Sequence, residues 1–131
     1  MKKIVKFINI FLRTILVGSF RQERIAEEIL KILIKFSEKD KELKILDYGS
    51  GFFKPSLADL ISKKAKDKNL KIKFTCFDFY NKRQLKTLNK DSNIKYQNLL
   101  KFKKNKNKFD FCIISDTLHH IKSGVNDINY L

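Results

Sequence analysis

The sequence predicts an α/β fold with parallel strands. Two observations carry this: four short apolar runs in the second two-thirds of the chain, and polar, helix-like stretches between them. A third sets the scale, because 131 residues hold one domain at most. Hydrophobic residues at 43% and charged residues at 33% exclude both a disordered polymer and a membrane bundle. One proline and four glycines exclude collagen-like and linker compositions. Two cysteines without a secretory signal make no disulfide scaffold, so a reducing cytoplasm is the expected compartment.

Residues 4–17 (IVKFINIFLRTILV) form the first element. Lys6 and Arg13 interrupt the apolar run, no small-residue cleavage site follows, and the run falls short of the ~20 apolar residues a spanning helix needs. Lys2, Lys6, Asn9 and Arg13 recur every three or four residues, so the spacing predicts an amphipathic helix. Packing on the domain is the favoured reading of it. A basic helix lying on an anionic membrane is the other reading of residues 1–17. Gly18 and Ser19 break the pattern, and a second helix is expected over residues 20–36, with Ile25, Ile29, Ile32 and Phe36 on one face and Leu30 and Leu33 beside them. Residues 1–42 are therefore an N-terminal helical segment, and residues 43–131 the α/β unit.

The expected strands are residues 43–46 ending at Asp47, residues 72–77 ending at Asp78, residues 94–96, and residues 109–115. Between the first two, residues 55–64 read as a helix with Pro55 in its first turn, where a missing N–H costs little. Residues 81–88 read as a weaker helix, and the lysine-rich residues 101–108 as a solvated loop.

The net charge is +15, a balance that raises nucleic acid or an anionic membrane as partner. Only four of the 29 basic residues are arginines: Arg13, Arg21, Arg24 and Arg83. Arginine is the better bidentate phosphate ligand, and lysine, isoleucine, asparagine and phenylalanine share A/T-rich codons. Codon bias is therefore favoured over nucleic-acid binding as the source of the charge.

The chemistry concentrates in Ile45-Leu46-Asp47-Tyr48-Gly49-Ser50-Gly51, where a strand ends at an acid and a glycine turn leads to a helix. Glycines let backbone turn sharply and approach a ligand closely, and a helix N-terminus offers free N–H groups. The dinucleotide fingerprint needs a third glycine where Lys54 stands, and Asp47 would repel a pyrophosphate. An acid there suits a ligand with an ammonium group, while Asp78 at the end of the next strand can accept from two ribose hydroxyls.

On these residues the chain resembles the class I S-adenosylmethionine-dependent methyltransferases, over about residues 43–122. Their first motif, D-x-G-x-G-x-G, is matched by Asp47, Gly49 and Gly51, with Phe53 replacing the third glycine. The resemblance implies a Rossmann-like sheet of order 3-2-1-4 and S-adenosylmethionine as cofactor. It implies that Asp78 holds the ribose, that Phe79 packs on the adenine, and that Asn98 with Leu99 meets the adenine edge. The segment Phe109–Ile121, F-D-x-x-x-x-x-x-x-L-H-H-I, is similar to the branch acting on small molecules and lipid quinones, with Asp116 at the cofactor's methionine end. A small-molecule acceptor is thus expected. No catalytic residue is assigned: His119 and His120 are adjacent on an expected helix and read as packing residues, and no metal site is expected. The rival class is a non-enzymatic Rossmann-like module that binds nucleic acid or membrane through lysines.

Two consequences follow from the resemblance. Strands two and four flank strand one about 9.6 Å apart, too far for a Cys76–Cys112 disulfide. Members of the family carry seven strands, so the chain reads as truncated after the fourth, and dimerisation through that strand's open edge is expected.

Overall fold

The computed structural model describes residues 20–52, 54–90 and 93–114. Helix α1 covers residues 20–36. It is followed by β1 (Leu43–Tyr48), α2 (Leu57–Asp67), β2 (Ile72–Asp78), α3 (Lys82–Leu88), β3 (Ile94–Asn98), a 3-10 helix (Leu99–Lys104) and β4 (Phe111–Ile114). The four strands make one parallel sheet in the order β3-β2-β1-β4. The expected α/β class and strand order are therefore present. The first expected helix, residues 4–17, lies outside the described residues.

Strand parity divides the core in two. Leu43 and Ile45 of β1, Ile72, Phe74 and Cys76 of β2, and Ile94 and Tyr96 of β3 face α1 and α2. Leu57, Ala58, Ile61 and Ala65 of α2 pack there at helical spacing, and Leu85 and Leu88 of α3 cover the margin. On the other face, Leu46, Tyr48 and Phe77 pack against Leu99 and Phe102 of the 3-10 helix.

Three local readings change. Helix α1 buries Ala26, Leu30 and Leu33 and packs Ile25 and Ile29 against the core, while Ile32 and Phe36 stay exposed, so the buried stripe is centred on Leu30 and Leu33 rather than on the line through Ile32 and Phe36. Lys64 of α2 ties that helix down through Glu23 at 3.0 Å and Glu27 at 3.3 Å. Helix α2 starts at Leu57 rather than Pro55, because Ser56 is its N-cap: Ser56 Oγ accepts from the Asp59 N–H, and the Asp59 carboxylate accepts from the Ser56 N–H. The stretch 101–108 is not wholly a solvated loop, since the ring of Phe102 lies edge-on to Tyr48 and Phe77 at 5.2 and 5.3 Å.

Cys76 and Cys112 are both free thiols, as the strand order requires. Among the described residues, β4 lies at one edge of the sheet, with Phe111 and Ile113 half-buried and Cys112 and Ile114 exposed. No helix of the described residues is long and apolar enough to cross a membrane.

Phe102 anchors the core of the second face, so Phe102→Ala should cost about 3–5 kcal/mol in urea denaturation, whereas the neighbouring exposed Lys101→Ala should stay within about 0.5 kcal/mol. Equal small effects would show that the 3-10 helix does not hold the sheet.

Candidate functional site

The chain runs outward from β1 to β2 to β3 and then returns to place β4 on the other side of β1. The crevice at the carboxyl ends of the strands where order reverses is where open α/β sheets bind ligands. Asp47 stands at that end of β1, in register with Cys76 of β2 and Ile113 of β4. Asp78 ends β2 two residues beyond Cys76, so parity puts both acids on the helix-covered face.

The turn after β1 is fastened to the end of β2. Gly49 and Gly51 adopt φ values of 76° and 77°, the left-handed region that glycine tolerates best. The Gly49 and Ser50 N–H groups both donate to the Phe77 carbonyl, at 2.7 and 3.3 Å. The Gly51 N–H donates to Asp78 Oδ2 at 2.7 Å, and the Phe79 N–H to Asp78 Oδ1 at 2.7 Å. Both glycine positions and Asp78 thus belong to one constellation.

Tyr80 supports the turn from beneath. Its hydroxyl donates to the Gly51 carbonyl at 2.7 Å and shares a hydrogen bond with Ser50 Oγ. Its ring meets Phe52 and Tyr96 edge-on, at 5.4 and 5.7 Å. Burial drives the Tyr80 phenol well above its usual range, which keeps it a neutral donor. Tyr80 had no role in the sequence reading. The strand-like alternation of Phe79 outward and Tyr80 inward was its only signal.

Lys54, at the place of the missing fingerprint glycine, has its charge taken up internally. Its ammonium bonds both Asp59 oxygens at 2.9 and 2.8 Å and the Tyr96 hydroxyl at 2.7 Å, over the Tyr96 ring. Burial pulls the Lys54 pKa down, but these hydrogen bonds outweigh it and hold the pKa above the usual value. Asp59 also occupies the first turn of α2, so the helix end carries its own carboxylate. Neither the turn nor the helix start is arranged to receive a pyrophosphate.

Asp47 is the exception to this satisfied network. Its residue is 1% exposed, and neither carboxylate oxygen has a hydrogen-bond partner among the described residues. Burial, followed by the charge of Asp78, pushes its pKa up to about 7. Burial, followed by the charge of Asp47, raises the thiol of Cys76 well above its usual value.

The aromatic residues beside the turn are open. Phe79 is 49% exposed and Phe52 is 48% exposed, one on each side of the Gly51–Asp78 hydrogen bond. Asn98 is committed locally: its Nδ2 donates to the Tyr80 carbonyl at 2.6 Å and its Oδ1 accepts from the Leu100 N–H at 2.9 Å. Leu99 is buried in the second-face cluster with Phe102. Phe53, Asp116, His119 and His120 lie outside the described residues.

No protein-family model matches the chain, and no curated protein matches it. The architecture is a Rossmann-like parallel α/β topology, compatible with nucleotide or cofactor binding.

The raised pKa of Asp47 has a consequence for stability. An unfolded aspartate titrates near 3.9, so the folded chain holds the extra proton between that pH and about 7. The sign follows: Asp47 contributes fully below pH ~3.9, and stability falls as the pH rises through about 7, by an amount on the order of 4 kcal/mol. Urea denaturation at pH 5 and pH 8 should show the part of this loss that falls between pH 5 and about 7, on the order of 3 kcal/mol, in the wild type and a flatter profile in Asp47→Asn. Parallel profiles would place the carboxylate in contact with water.

Proposed function

We propose that the chain is an S-adenosylmethionine-binding methyltransferase domain acting on a small-molecule acceptor. The observation that carries the reading is the buried carboxylate of Asp47, unpartnered among the described residues, beside a glycine turn at the switch point of the sheet. A buried charge without a partner is costly, and a cationic ligand group relieves that cost. S-adenosylmethionine carries an ammonium group and supplies an electrophilic methyl on its sulfonium. Pyrophosphate cofactors fit worse, because Asp47, Asp59 and Asp78 all stand around the turn, whose donors are internally used.

In this reading Asp47 accepts from the ligand's ammonium. Asp78 keeps one lone pair on each oxygen for the backbone N–H groups it already holds and offers the others to two ribose hydroxyls. Phe79 and Phe52 supply exposed ring faces for a base, and Gly51 allows close backbone approach. Methyl transfer from a sulfonium is an in-line displacement, so positioning and exclusion of water supply much of the catalysis.

Isothermal titration separates the roles. Against S-adenosylmethionine, Asp78→Ala should lose about 1.5–3 kcal/mol of binding free energy. Asp47→Asn should weaken S-adenosylmethionine at least about tenfold, near 1.4 kcal/mol, and leave methylthioadenosine, which lacks the amino-acid end, unchanged. Unaltered S-adenosylmethionine affinity in both variants would defeat the assignment. Binding without product formation in a methyl-transfer assay would make the chain a binding module instead.

A further inference from the structure

Among the described residues, the face of the sheet away from α1 and α2 is only half covered. The 3-10 helix lies over Leu46, Tyr48 and Phe77, towards the carboxyl ends of the strands. Towards their amino ends the same parity brings up Lys44 of β1, Lys73 of β2 and Lys95 of β3. Lys44 is directly opposite Lys73 in the β1–β2 register, and Lys95 is opposite Thr75, which shares a face with Lys73. These side chains, with Lys108 and Asn107 from the segment before β4, line a cavity of about 310 Å³. A second cavity of about 580 Å³ shares Asn107, Lys108 and Phe109 with the first. It continues along the segment before β4, where Lys103 lines it with Asn105. Asp110, whose carboxylate takes the Lys44 backbone N–H, is the one acid among the described residues lining either cavity.

Edge protection does not account for this placement. Lysines that guard sheets sit on edge strands, but β1 and β2 are the central pair. Like charges directly opposite on neighbouring strands destabilise a sheet. Lys44, Lys73, Lys95 and Lys108 make no ion pair among the described residues to offset this. Lys64 on the helical side, in contrast, is paired twice with glutamates.

We propose that this trough binds the phosphate backbone of a single-stranded nucleic acid. Its charge is complementary to a polyanion. Its concavity admits a strand and not a flat bilayer. Its length, two joined cavities, exceeds what a compact phosphate needs. Half-buried Phe109, packed against the second-face cluster, lines both cavities, and single-strand binders use aromatic residues in their grooves to stack bases. Lysines act as point charges, so the contact is to backbone and indifferent to sequence. The site is on the opposite face of the sheet from Asp47 and Asp78 and does not depend on the cofactor reading.

The test is fluorescence anisotropy of the full chain with a labelled oligothymidine of about 16 nucleotides, titrated over salt. One variant carries Lys44→Gln, Lys73→Gln and Lys95→Gln. A control carries Lys63→Gln, Lys66→Gln and Lys68→Gln on the α2 side, with the same change in net charge. The trough variant should bind at least about tenfold more weakly at low salt, and its log–log salt slope should fall by about 2, as the loss of three single-strand phosphate contacts requires. The control should keep the wild-type slope. Lys108→Gln, outside the strands, should lower the slope by about 0.7 even if the triple variant folds poorly. Equal losses in trough and control variants would overturn the proposal, as would wild-type chain that ignores the oligonucleotide. So would trough-dependent binding of inorganic triphosphate or phosphatidylserine vesicles in preference to it.

Discussion

The backbone donors around the switch point are committed before Asp47 receives one. The Gly49 and Ser50 N–H groups go to the Phe77 carbonyl, and the Gly51 and Phe79 N–H groups go to Asp78. The Ser56 N–H goes to Asp59 at the start of α2. Parallel pairing of β1 with β2 sets this pattern, because it ends both strands at the same level and brings the turn within reach of Asp78. Asp47 is left in the interior with no partner among the described residues. A buried carboxylate left without a partner costs stability, and the proposed cationic ligand group would relieve that cost.

The two faces of the sheet solve different problems. Helices α1 and α2 seal one face with aliphatic side chains, and that rigid layer sets the height of the turn. The other face is anchored by two residues of a six-residue 3-10 helix, Leu99 and Phe102, which among the described residues leaves its amino-terminal half open and positively charged. Acidic and basic sites are thereby separated by the thickness of a single sheet. That separation lets a strongly basic chain keep three acids around one turn.

The strands, the glycine turn and both acids were legible because each is a local signal: an apolar run, a residue pair that permits positive φ, a polar residue closing a strand. Strand order came by resemblance, since pairing is non-local and periodicity says nothing of it. The start of α2 was also written in the sequence, as Ser56-Leu57-Ala58-Asp59, a capping box that outweighs the attraction of Pro55 for a first turn. Most of the face expected of α1 was legible, since Ile25, Ile29, Leu30 and Leu33 pack on the core, but periodicity alone did not show that Ile32 and Phe36 fall outside the buried stripe. Phe102 was hidden by the lysines around it, and the local role of Asn98, whose oxygen caps the 3-10 helix with one of its two lone pairs, is a contact that only the folded chain shows. Tyr80 and Lys54 were missed because their partners, Gly51, Ser50, Asp59 and Tyr96, converge only in three dimensions.

The central claim is that Asp47 is a desolvated carboxylate kept for a cation. Its own titration tests this most directly, followed by carboxyl-carbon NMR on the full chain with and without S-adenosylmethionine. The account predicts a midpoint near 7 in the free chain, moved down towards or below the ordinary carboxylate value of about 4 when the cofactor is saturating. A free-chain midpoint near 4, or a midpoint near 7 that the cofactor leaves in place, would contradict it.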